Sequence, residues 1–74
     1  MAAYRVSVVI EKDENGYFAY CPELWGCYIQ RDTYEEVLEN IKDAIRSHIK
    51  DRLEEGEEIP RVEMINLAAV EVTV

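Results

Sequence analysis

The chain has little of what most catalytic and metal chemistry requires. It holds one histidine, His48, and two cysteines, Cys21 and Cys27, in 74 residues. A single histidine supports no specific Ser/His/Asp set, and with no second histidine or nearby cysteine it reads as a packed or rim residue. The cysteines are too far apart for a CxxC pair and have no second pair to complete a zinc site. For a protein of the cytosol they are expected as half-buried thiols rather than a disulfide. Gly16, Gly26 and Gly56 are the only glycines and form no phosphate-binding loop. Basic residues are scarce too: 8 against 16 acidic, a net charge of −8. Phosphate contacts need a basic face, so direct nucleic-acid binding is not expected. No apolar run approaches the length of a bilayer span; the longest are of the kind Val8-Val9-Ile10 and Leu67 to Val70. The start, MAAYRVSVVIEK, lacks a basic segment followed by a long apolar stretch, so a signal peptide is not expected and the cytoplasm is. These shortages point away from an enzyme and from any cofactor or metal.

What is present is enough for one small domain, residues 1–74. Hydrophobic residues make up 49% and charged residues 32%, the mixture of a globular chain. A chain this short buries a modest fraction of its surface, so oligomerisation is an expected source of added stability. The acidic surplus either keeps the domain soluble or steers it towards a basic protein partner.

The stretch YRVSVVIEKD alternates, with Tyr4, Val6, Val8 and Ile10 on one face and Arg5, Ser7 and Glu11 on the other, which predicts a half-buried strand. Asn15-Gly16 suits positive φ in a tight hairpin turn. YFAYC returns as a second strand that Pro22 ends, and CYIQ makes a short third, giving an antiparallel meander. Thr33 with Glu36 is a capping box, in which each side chain can satisfy a free backbone N–H. Val37, Leu38, Ile41, Ala44, Ile45, Ile49 and Leu53 follow as one apolar helical stripe, stopped by Gly56 and Pro60. The tail alternates over Val70, Val72 and Val74. Ile65 and Leu67 have the opposite parity, which a bulge near Ala68-Ala69 would reconcile.

The expected fold is therefore α+β: two layers, β-β-β-α-β, a four-stranded mixed sheet with one helix on one face. The third strand runs the same way as the first, so the helix acts as a right-handed crossover to a last strand parallel to the first. With the apolar first strand central, the expected order is 3-2-1-4. One helix covers one sheet face, so some of the rings Tyr17, Phe18, Tyr20, Trp25 and Tyr28 must face away from it. They either pack inward or make the open face an interface. The acidic run at 54–58 reads as a solvated surface.

Several short motifs taken together resemble the HicB family of antitoxins. Matching positions are Gly16, Tyr17 and Ala19; then Pro22, Glu23, Leu24, Gly26 and Cys27; then Gln30, Asp32, Thr33, Glu35 and Glu36; and finally Ile59 and Pro60. The resemblance covers about residues 4 to 60, with Arg31 standing where the family prefers glycine and Val37 where it prefers alanine. It implies a partial ribonuclease-H-like β-β-β-α-β arrangement. It also implies a partner, a small basic HicA-type mRNA-cleaving ribonuclease toxin with a double-stranded-RNA-binding-domain fold, held inactive by the antitoxin. Many members carry a carboxy-terminal helix-turn-helix or ribbon-helix-helix segment that binds operator DNA. This sequence shows none, so operator binding is not expected. The residues expected to touch a partner protein are Tyr17, Tyr20, Glu23, Trp25 and Tyr28, with Glu11, Asp13 and Glu23 steering. The alternative is a stand-alone homodimer or higher homo-oligomer with a binding or scaffold role, its aromatics consumed by self-association. A degenerate nuclease is the weakest reading, since the strands supply tyrosine, valine and cysteine rather than metal-binding carboxylates.

Overall fold

Alternating apolar residues and two tight turns produce the first layer of the protein. The computed structural model describes residues 3–74. Strand β1 (Val9–Asp13) pairs antiparallel with β2 (Gly16–Tyr20), which pairs antiparallel with β3 (Tyr28–Arg31), in the order β1-β2-β3. The β1–β2 turn is Glu14-Asn15, and the Asp13 carboxylate accepts a hydrogen bond from the Asn15 backbone N–H at 2.8 Å. Of the expected pair only Gly16 takes positive φ, +119°. A Cβ at Gly16 would lie 2.8 Å from the Arg31 carbonyl oxygen, so the close approach of β3 requires glycine there as well.

The second layer is one helix, α1 (Tyr34–Glu54). Thr33 is its N-cap in extended conformation, and its hydroxyl oxygen accepts from the Glu36 N–H at 3.1 Å. The Glu36 carboxylate does not reach back to the Thr33 backbone as expected but accepts from the Thr33 hydroxyl at 2.9 Å. At the other end Gly56, at φ +78°, closes a Schellman turn: Glu57 N–H donates to the Arg52 carbonyl and Gly56 N–H to that of Leu53. Replacing Thr33 with alanine leaves the Glu36 N–H without that acceptor and will cost about 1 kcal/mol in urea unfolding, whereas Thr33→Asp will retain most of it.

The core lies between the layers. Ala19 faces the helix from the central strand, flanked in register by Ile10 and Ile29. Val37, Ile41 and Ile49 meet them from α1, and Ile59 folds under after the helix. Val6, Val8 and Ile10 pack against this cluster with the expected parity, although pairing with β2 begins only at Val9.

The expected fourth strand is absent among the described residues. The protein is β-β-β-α with a three-stranded antiparallel sheet, not a four-stranded mixed sheet of order 3-2-1-4, and no bulge forms near Ala68-Ala69. A helix satisfies its own backbone, but a strand needs a ladder partner, and period-two alternation names no partner. The parity break adds to this. A strand that buries Val70, Val72 and Val74 would bury Asn66 and expose Ile65 and Leu67. The segment instead runs exposed from Glu63 to Val74 without regular structure.

Candidate protein-binding surface

Strand alternation sorts the rings onto two faces. Ala19 points at the helix, so its neighbours Phe18 and Tyr20 point away, as do their cross-strand partners Val9, Glu11, Tyr28 and Gln30. On this open face the Phe18 ring lies 5.8 Å from that of Tyr20 and 6.0 Å from that of Tyr28, both tilted. Such spacing is ordinary aromatic packing, and it makes one continuous ring surface. Phe18 is its centre. It is absent from the expected contact residues, although strand parity places Phe18 with Tyr20 at a spacing of two.

Trp25 sits at the sheet end that carries Tyr20 and Tyr28. The 21–27 segment is two consecutive turns: Leu24 N–H donates to the Cys21 carbonyl and Cys27 N–H to the Leu24 carbonyl, while Cys21 N–H donates to the Cys27 carbonyl at 3.0 Å and closes the loop. This winding turns Cys21, Leu24 and Cys27 into the core and Trp25 outwards, where it is 90% exposed. The ring therefore covers no sheet edge. The loop is fixed from outside by Arg52 of α1, whose guanidinium donates to the Trp25 carbonyl at 2.9 Å.

Tyr17 and Glu23 lie elsewhere. Tyr17 is on the helix side, half-buried, edge-on to Tyr34 at 6.2 Å with the Lys12 ammonium 5.8 Å from its ring centre. Glu23 turns inwards along the loop: its two carboxylate oxygens accept from the Ser7 backbone N–H and hydroxyl, which ties the loop to the segment before β1. Of the five expected contact residues the structure brings Tyr20 and Tyr28 together and sets Trp25 at their end of the sheet.

Both cysteines are free and buried. Burial pushes the Cys21 thiol up, helped by the nearby Glu23 carboxylate, and pushes the Cys27 thiol up, helped by Cys21. A raised pKa in the fold favours the neutral thiol, so this contribution to stability is complete below the ordinary thiol range of about 8.5 and is lost as pH climbs through the raised values. Thiol titration with an aromatic disulfide at neutral pH will be slow for both groups in the folded protein and fast in denaturant. Rapid native labelling of either would contradict their burial. No cluster of three or more metal-ligating side chains exists among the described residues, and no helix among them is long and apolar enough to cross a membrane.

An exposed cluster of rings on an open sheet face, beside a protruding indole, has the make-up of a macromolecular contact surface. The sequence comparisons give that surface a family. The model of the HicB-like antitoxin of bacterial toxin–antitoxin systems matches residues 6–72, so the chain belongs to that family. Relatives include a UPF0150 protein of Synechocystis sp., 40% identical over 84% of this chain and 80% of its own length. Another, from Helicobacter pylori, is 56% identical over 62% of this chain and 64% of its own length. A third, from Thermoplasma acidophilum, is 45% identical over 77% of this chain and 84% of its own length. No solved structure gives a significant match. Membership implies an antitoxin role in the general sense and, with it, a toxin as counterpart.

Proposed function

We propose that the protein binds and inhibits a small, basic HicA-type mRNA-cleaving ribonuclease. It does so through Trp25 and the open-face rings Phe18, Tyr20 and Tyr28. The observation that carries this reading is the 90% exposure of Trp25 on a loop held rigid from both sides, by Arg52 and by Glu23. A large side chain kept in water on an ordered loop gains most from burial against another molecule, and tryptophan and tyrosine dominate such contacts. Net charge of −8 adds long-range attraction to a basic partner, with Glu11 on the ring face itself. Tyr17 and Glu23, turned to the helix and to Ser7, support the surface rather than form it. The protein acts by binding in the cytoplasm, without catalysis and without touching nucleic acid.

Co-expression with a candidate toxin from the neighbouring gene tests the reading, with growth and messenger-RNA integrity as readouts and pull-down as the direct assay. Restored growth with intact messenger RNA and a stable complex supports it. No rescue together with no complex defeats it. The competing reading, in which the same rings are spent on self-association of a stand-alone scaffold, predicts that outcome, together with a homo-oligomer that Phe18→Ser dissociates.

A further inference from the structure

The β2–β3 ladder pairs Ala19 with Ile29 and Tyr20 with Tyr28. One step further along, the same register sets Cys21 opposite Cys27, and the Cys21 N–H donates to the Cys27 carbonyl at 3.0 Å. The cysteines are therefore a cross-strand pair just beyond the strand ends. Alternation turns both side chains to the helix side with Ala19, and each is 3% exposed. A hydrogen-bonded antiparallel pair holds its Cα atoms about 5.5 Å apart. A disulfide spans roughly 4.4–6.8 Å between Cα atoms, so the backbone is already spaced for one. Both are free thiols.

We propose that Cys21 and Cys27 are a peroxide-responsive redox pair, whose oxidation closes the 21–27 loop with a disulfide and fixes Trp25 in its outward position. In the reduced protein that loop is held by its backbone turns and by two outside ties. Arg52 donates to the Trp25 carbonyl, and Glu23 accepts from Ser7. Each of these bonds can break and re-form, so the loop opens locally and admits a small oxidant.

The chemistry balances. One sulfur, as thiolate, attacks a peroxide oxygen and the O–O bond breaks, leaving a sulfenic acid and hydroxide. The hydroxide takes up the thiol proton as water. The second thiol attacks the sulfenic sulfur, the S–O bond breaks, and a second water leaves. Two thiols lose two electrons and the peroxide is reduced to two waters. Because the partner stands directly opposite, the sulfenic acid is captured before it oxidises further. Burial raises both thiols and keeps them neutral, while the Arg52 guanidinium works the other way at each. The first step is accordingly slow, and the pair answers sustained rather than trace peroxide. It rests on sheet register and not on the rings, so it stands or falls separately from toxin binding.

Treatment of the native full chain with hydrogen peroxide at neutral pH, then alkylation and trypsin, tests this. The peptide Asp13–Arg31 carries both cysteines and no methionine. It is expected to lose the mass of two hydrogens within one chain and to regain it with dithiothreitol. Helical circular dichroism is expected to persist, and exchange of the Leu24 and Cys27 amides to slow by about tenfold or more. Cys27→Ala is expected instead to add oxygen at Cys21, and Cys21→Ala to add it at Cys27, the fate of a sulfenic acid without a partner. Thiols that stay unreacted while the loop amides exchange, a disulfide between two chains, or sulfinic acid in the native chain would each overturn the proposal. So would loss of helix on oxidation, or unchanged exchange of the two amides.

Discussion

Ile41→Ala will cost about 2–5 kcal/mol of folding stability, among the largest losses expected from a single truncation in the domain. Ile41 is fully buried at the middle of α1, in the cluster with Val37, Ala19 and Leu24. Removing three carbons there forfeits their transfer energy and leaves a cavity between helix and sheet that two rigid layers fill poorly. A chain of this length is stable by only about 4–11 kcal/mol, so the variant will be partly unfolded at room temperature or close to it. Chemical denaturation measures the effect as a fall in midpoint at unchanged slope. Leu67→Ala provides the contrast. Leu67 is 80% exposed on the tail, and its truncation will change stability by less than about 0.5 kcal/mol. A loss below 1 kcal/mol at Ile41 would mean that the two layers are not packed as described.

On the proposed mode of toxin binding, Trp25→Ala will weaken the complex by about 2 kcal/mol or more, close to 30-fold in affinity, while leaving the stability of the free protein nearly unchanged. The two halves of this expectation come from one fact. An indole that is almost entirely in water contributes little to the fold and has nearly all of its area to bury against a partner. Phe18→Ala extends the test to the sheet face. Its ring lies against both Tyr20 and Tyr28, so its loss leaves them without their common neighbour and lowers affinity without removing either ring. Titration calorimetry with purified toxin reads both variants. Unchanged affinity for both would remove the aromatic surface from the interface.

The elements legible in the sequence are those whose hydrogen bonds are local. Thr33 and Glu36 announce the start of α1 and Gly56 its end, because caps are made by neighbours in the chain. The β1–β2 hairpin is legible for the same reason, although its turn is Glu14-Asn15, one residue before the expected Asn15-Gly16 pair, with Gly16 opening β2. The loop from Cys21 to Cys27 is half-legible. Pro22 and Gly26 mark a turn, but nothing periodic reveals that two successive turns send Cys21, Leu24 and Cys27 inwards and Trp25 outwards. The same limit applies to Glu23, whose acceptors are occupied by Ser7 sixteen residues away. In the tail the alternation of Val70, Val72 and Val74 is plain, yet a strand's partner is a tertiary fact. The expected pairing with the first strand does not occur within the chain.

Helix α1 packs over β2 and β3, whereas β1 is held through its ladder to β2, through the Ile10 side chain at the margin of the core, and through Ser7, just before it, on the Glu23 carboxylate. The cohesion of the sheet is therefore graded across its width. Amides of β2 and β3 open only when the helix leaves, so their hydrogen exchange reports global unfolding. Those of β1 can open by a local detachment that spares the rest and will exchange ahead of them. The protein thus has a firm two-strand body under its helix and one outer strand more loosely joined to it.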